Sequence, residues 1–282
     1  MAGGGYTFCD PTVENSPDLL LCFEGDASML VCTEQGDDLT TSPHSPASEN
    51  MGTFDARSRV DDRGKLTSEV NLTTRGIYDI AFRQWCKSMP PQQREVFWQR
   101  VVSGIHPGAR LTGFSASDPE DLYTPFSLSF SYEVEDYAIE AGKYLLIKSP
   151  ISTNRFELML SGFLAGASLP TRKYAFDFGI TLGSTQAETL LLPAGYRVKS
   201  TPETVDIESG ELGYRMAYQA SEPNETDPGL RVDYTKRFLI DSKKLDPERY
   251  LELKRILLTS STSGRGEIIL ERTGKTGPKA TF

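Results

Sequence analysis

Four cysteines and two histidines are the residues of this chain that could carry nucleophilic or metal chemistry, and their spacing restricts both. Cys9, Cys22, Cys32 and Cys86 include no C-x-x-C pair. Neither His44 nor His106 has a cysteine, glutamate or second histidine at ligand spacing, so zinc motifs such as H-E-x-x-H are absent and no metal is expected. A thiol also needs a base beside it to attack a carbonyl near neutral pH. His44 lies in Thr-Thr-Ser-Pro-His-Ser-Pro, which reads as an exposed extended loop, and His106 precedes Pro107-Gly108, where a cation stabilising the last helical turn is the plain reading. The spacing leaves two states open for the cysteines: one bridge among Cys9, Cys22 and Cys32 in an oxidising compartment, or free and mostly buried thiols.

Other chemistries are weakly marked. The glycines at 162 and 166 lack the lysine of a phosphate-cradling loop, so no cofactor is expected. The acidic pairs Asp37-Asp38, Asp61-Asp62 and Glu120-Asp121 belong to no calcium-loop pattern and read as solvated turns. Asn71-Leu72-Thr73 and Asn224-Glu225-Thr226 fit the glycosylation pattern, which arises often by chance. Trp85 and Trp98 could build a glycan or peptide platform, but both fall at helical spacing, where aromatics are core.

Composition sets the frame for these residues. The 282 residues are 38% hydrophobic and 24% charged, the balance of an ordinary globular protein of one or two domains. Thirty basic against 39 acidic side chains leave a net charge of -9, which argues against a nucleic-acid partner, whose phosphates need clustered Lys and Arg. No apolar run is long enough to span a bilayer, and no export signal opens the chain.

The elements that would position a site follow from periodicity. Residues 1–45 read as an extended segment that wraps over something else, joined to the rest by a Ser/Pro-rich connector. Thr53 to Asn71 alternates around Asp61-Asp62-Arg63-Gly64, the pattern of a hairpin. The period then becomes helical. Ile77, Ile80, Ala81, Gln84 and Trp85 mark one face of a first helix from near Thr74, and Val96, Phe97, Val101 and Ile105 the stripe of a second, the two forming a helical hairpin over a sheet.

Strand patterns resume at Leu111–Ser117, Phe126–Val134, Tyr137–Ala141 and Tyr144–Lys148. An irregular apolar stretch follows, then strands at Tyr174–Leu182, Ala187–Leu192, Tyr196–Ser200, Thr204–Glu208, Leu212–Ala220 and Leu230–Ile240. Asp246-Pro247 caps a final helix with Tyr250, Leu253 and Leu257 inward, and Gly266–Leu270 adds a last strand. The expected fold is mainly β within the α+β class: an antiparallel β-sandwich with an inserted helix pair and a C-terminal helix. Its units are 46–150, with the helical hairpin, and 151–282, the sandwich continuation.

Three stretches carry a family resemblance. They are Tyr6-Thr7-Phe8-Cys9-Asp10-Pro11-Thr12 with the following Leu19-Leu20-Leu21 and Met29-Leu30-Val31; Asn50 to Arg57 with Arg63-Gly64-Lys65-Leu66; and Leu191-Leu192-Pro193-Ala194-Gly195-Tyr196-Arg197-Val198. Together they resemble the C-terminal half of bacterial transglutaminase-like proteins, the end of a papain-type core followed by a β-rich domain. The resemblance implies that residues 1–45 are the remnant of that core, on a strand ending in Asp-Pro-Thr. It implies that Asp10 is the acid of a Cys-His-Asp triad whose cysteine and histidine lie on an upstream segment, and that the whole protein sits outside the cytoplasm.

Cys9, next to Asp10 on such a strand, would point to the opposite face. The Asp-Pro-Thr sequence is equally that of a turn in which Asp10 caps its own backbone. The functional expectation is a noncatalytic accessory or binding module for a protein, peptide or glycan, this chain not being an enzyme by itself. The alternative is the C-terminal half of a cysteine peptidase or protein-crosslinking acyltransferase.

Overall fold

The computed structural model describes residues 7–32, 34, 39–152, 162, 164–222 and 229–273. The Asn224-Glu225-Thr226 pattern, the acidic pair Asp37-Asp38 and the final residues 274–282 lie outside that set, as does most of the irregular apolar stretch after residue 152.

Turn chemistry and alternation build the first hairpin. β3 (Met51–Val60) and β4 (Leu66–Thr74) pair antiparallel, and Asp61 closes the turn by accepting from the amides of Arg63 and Lys65. The chain then forms α1 (Ile77–Ser88) and α2 (Pro91–Ile105), with Pro91 at the first helical position, where its missing N–H costs nothing. Gly76 enters α1 at φ +57°, and a Cβ there would lie 2.1 Å from Asn50 Oδ1. That close approach lets buried Asn50 accept from the Ile77 amide and cap the helix across the fold.

β5 (Ala109–Ala116) and β6 (Ser127–Val134) follow, then β7 (Ile139–Ala141) and β8 (Tyr144–Ile147). The second half contributes β9 (Phe176–Asp177), β10 (Leu182–Leu191), β11 (Tyr196–Ser200), β12 (Val205–Ser209), β13 (Leu212–Ser221), β14 (Arg231–Ile240) and β15 (Lys244–Leu245). α3 (Pro247–Ser263) starts where Asp246 accepts from the Arg249 amide at 2.8 Å, the cap expected from Asp-Pro, and β16 (Ile268–Arg272) ends the described chain.

The strands form an eight-stranded sheet in the order β12-β13-β14-β10-β3-β4-β6-β5 and a four-stranded sheet in the order β11-β16-β8-β7. The protein is mainly β with helices, as expected, but the large sheet is mixed: β10 and β3 at its centre run parallel, Gly183 opposite Met51 through Leu191 opposite Arg59. Parallel pairing needs a long crossover, here the whole stretch from β4 to β9.

One face of the large sheet is the core. Phe54, Leu66, Val70, Leu72, Phe130, Tyr132, Leu182, Tyr214, Val232 and Phe238 point inward, meeting Leu145, Ile147, Ile268 and Leu270 of the small sheet in one continuous cluster. α1 and α2 cover the β3-β4 and β5 end, and α3 covers β12 and β13.

Two helix faces differ from expectation. In α1 the buried side is Tyr78, Asp79, Phe82, Arg83 and Cys86, not the stripe through Ile77, Ile80 and Trp85. The cause is a buried ion pair: Arg83 Nε bonds the Asp79 carboxylate, and its other nitrogens donate to the carbonyls of Pro119, Asp121 and Thr124. Two charged residues therefore face the core, where polarity alone would place them outward. In α2 Val96 is exposed, and the stripe is Trp98, Val101 and Val102. Trp98 stacks on Phe130 at 4.6 Å between ring centroids and sits edge-on to Trp85 at 6.2 Å. Both tryptophans are thus committed to packing.

Candidate functional site

The residues with chemical potential do not converge. Thr7 to Asp10 forms no strand; Asp10 heads a turn, its carboxylate accepting from the Thr12 amide at 2.8 Å. Those hydrogen bonds from Thr12 hold the carboxyl below its ordinary range. The expected strand is thus replaced by the self-capping turn, because Pro11 withholds a ladder donor and Asp10 satisfies the next amide locally. Without a strand, the opposed placement of Cys9 and Asp10 loses its basis.

All four cysteines are free thiols, Cys22 and Cys86 buried, Cys9 and Cys32 exposed. Burial pushes the Cys22 thiol up to about 11 and raises that of Cys86, the reverse of nucleophile activation. His44 Nδ1 lies 2.6 Å from Asp26 Oδ2, with Asp241 3.7 Å from its other nitrogen. His106 Nδ1 accepts from the Gly108 amide, and its ring meets Tyr137 edge-on. Among the described residues no group of three or more His, Cys, Asp or Glu side chains could hold a metal ion.

His44 does serve the architecture. It joins Asp26 of the N-terminal segment to Asp241, which follows β14, and Asp241 also accepts from the Ala47 amide at 2.6 Å. Lys243 donates to the carbonyls of Phe23 and Gly25, and Thr181 to that of Ser45. The segment before residue 50, including the small hairpin of β1 (Ser28–Leu30) and β2 (Leu39–Thr41), is stitched to the main body by these bonds.

The arrangement with binding capacity is the face of the large sheet that the helices leave open. Alternation turns Thr53, Asp55, Arg57 and Arg59 of β3 outward, and register sets them beside Thr73, Asn71, Glu69 and Thr67 of β4. On the other side they meet Thr185, Ala187, Thr189 and Leu191 of β10, which in turn meet Arg237, Thr235, Asp233 and Arg231 of β14. One transverse row thus reads Asp233, Thr189, Arg57, Glu69, Ser131 across five strands.

Hollows along its middle strands make this face a trough. A cavity of about 650 Å³ sits over its centre, lined by Asp55, Arg57, Glu69, Asn71, Thr189 and Asp233. Neighbouring hollows of about 370 and 250 Å³ extend it toward β6 and β13. The side chains of Asp55, Arg57 and Glu69 make no hydrogen bond or ion pair among the described residues, although Arg57 and Glu69 are directly opposite in register. The outward positions of β3, β4, β10, β13 and β14 carry no aromatic ring.

Behind the trough lies a buried polar cluster. Glu188 accepts from Ser58 Oγ and Ser149 Oγ at 2.5 Å each, and Ser58 also bonds Ser68 at 2.9 Å. Enclosure in the core pushes the Glu188 carboxyl up to about 7 despite those two donors.

The sequence motifs gave no warning of either feature. The polar half of each strand's alternation was visible, but only the β10-β3 adjacency brings those halves onto one surface. No protein-family model, curated protein or solved structure matches the chain. The fold and the site together define a mainly β protein that presents an open polar sheet face.

Proposed function

We propose that this chain is a noncatalytic binding module, flanking a transglutaminase-like core, that engages a protein or peptide partner through the trough of its large sheet. The observation that carries this reading is the group of side chains Asp55, Arg57 and Glu69, unpaired among the described residues, lining a 650 Å³ cavity. Such groups on a rigid sheet offer donors and acceptors to a polar chain at little ordering cost. The absence of rings at the outward positions of the trough strands favours peptide over glycan, since sugars are gripped by stacking on aromatic faces. The buried thiol of Cys22, its pKa raised to about 11, supports the noncatalytic part. The family context rests on the quoted motifs, with Asp10 as the residue that would answer to the triad acid.

The test is NMR of the methyls of Thr53, Thr185, Thr189 and Thr235 in the full chain, titrated with a tryptic digest of serum albumin and, separately, with chitotetraose. Peptides should shift these methyls saturably, and Arg57→Ala should weaken the response about tenfold. Shifts only with the sugar, or shifts confined to the rest of the molecule, overturn the assignment. So does steady turnover of a thiol-directed acyl electrophile by this chain.

A further inference from the structure

One corner of the trough holds an arrangement that the fold itself does not explain. Register sets Arg215 of β13 directly opposite Arg237 of β14. Arg237 lies opposite Thr185 of β10, and Thr185 opposite Thr53 of β3, so the four form a single transverse row on the open face. Like charges directly opposed on one face of an antiparallel pair are destabilising, and opposite charges are the usual solution. Arg215 is drawn only loosely to Asp206, at 3.7 Å. Arg237 is exposed and its side chain makes no hydrogen bond or ion pair among the described residues.

Arg215 and Arg237 border the hollow of about 250 Å³, together with Thr53, Thr185, Thr235 and Asp55. Thr185 Oγ1 donates to Thr53 Oγ1 at 3.1 Å. Thr53 makes no other side-chain bond among the described residues, so its own hydroxyl proton is free for an acceptor in the hollow. Donors therefore converge from two sides on a space for about eight waters, at about 30 Å³ each.

We propose that this corner is an oxyanion subsite: Arg215 and Arg237 clamp a carboxylate, sulfate or phosphate group, and Thr53 donates a further hydrogen bond to it. The forked donors of arginine match such groups bidentately, which lysine would not. The subsite deepens the peptide-binding reading by giving the partner an acidic group, and it rests on that reading for its place on a binding surface. A chain of net charge -9 repels anions at long range, so occupancy depends on direct contact rather than on steering.

Arginine Nε–Hε NMR signals of the full chain test it, with sodium sulfate, sodium phosphate and the peptide tri-glutamate added at constant ionic strength. The Arg215 and Arg237 signals should shift saturably, with half-saturation on the order of 1–10 mM, while that of Arg59 stays in place. Arg237→Gln should weaken the response tenfold or more, and Thr53→Val, which keeps the shape and removes the hydroxyl, about threefold. Tighter binding of tri-glutamate than of sulfate assigns the subsite to a carboxylate on a peptide; equal or tighter binding of sulfate or phosphate assigns it to a free oxyanion. A linear, unsaturable drift of all arginine signals together, or an affinity unchanged in Arg237→Gln, overturns the proposal. A saturable sulfate response without any peptide response on the threonine methyls would leave the subsite standing and remove the peptide-binding reading.

Discussion

Ser58 and Glu188 meet in the middle of the core, the serine hydroxyl donating to the carboxyl at 2.5 Å between residues 130 positions apart in the chain. Together with Ser149 it bonds an acidic group whose carboxyl is raised to about 7 by enclosure in the core, against the pull of the two donors.

The first prediction is the pH dependence this causes. The folded carboxyl, at about 7, lies above its ordinary value of 4.5, so between those values the native state holds a proton the unfolded chain has released. Stability from this group is fully present below about pH 4.5 and is lost as pH rises through 7, by up to about 3 kcal/mol. Urea denaturation at pH 5 and pH 8 should show that loss in the wild type, and a smaller one in Glu188→Gln. Equal slopes in the two proteins would remove Glu188 from the account.

Asp79 and Arg83 behave as a buried unit. Asp79 Oδ2 also accepts from the Phe126 amide at 2.6 Å, so Asp79→Ala strands a buried guanidinium and an amide together. We expect a loss of about 3–5 kcal/mol by chemical denaturation. The double variant Asp79→Leu with Arg83→Met should recover part of it, since it leaves no unpaired charge. A double variant worse than the single one would refute this view of the pair.

Attachment of the N-terminal segment should depend on pH in the same sense but through a different group. The bond to Asp26 raises the His44 pKa. Its contribution is complete below the ordinary histidine range and lost as pH rises through the folded value. Amide exchange at Ala47, whose N–H bonds Asp241, should accelerate several-fold from pH 6 to pH 8 after correction for intrinsic rates. His44→Gln should exchange fast at both pH values; protection unchanged in that variant would sink the clamp.

Thiol labelling separates the cysteines. Cys9 and Cys32 are exposed and should react at once with a disulfide reagent, whereas Cys22 and Cys86 should wait for unfolding, at rates lower by a factor on the order of 100 or more. Four equivalent thiols in the native protein would contradict the burial described.

Much of this fold was legible where local chemistry decides. The Asp61 turn, the Asp246 cap and the alternation of β3, β4, β13 and β14 are each set by neighbours in the chain. What could not be read depends on distant partners. Arg83 faces inward because carbonyls some 40 residues away receive it, and α1 is rotated accordingly. β10 begins five residues before its expected start, since Leu182 to Gln186 becomes a strand only between β3 and β14. The trough is illegible for the same reason: Arg57 and Thr189 are unrelated residues until the two strands lie side by side.

That parallel seam also bears on how the molecule assembles. β4 meets β3 across a five-residue turn, and β13 meets β12 across a two-residue one, so each wing can zip up from sequence neighbours. β3 and β10 are joined only when a loop of some 130 residues closes, as the Thr53 to Thr185 bond shows. Loop closure of that span makes the seam the slow event in refolding, with protection of β10 against pulse-labelled exchange appearing after that of β4 and β13. The groove that would receive a partner therefore comes into being last, and a nascent or partly unfolded chain has no such groove to offer.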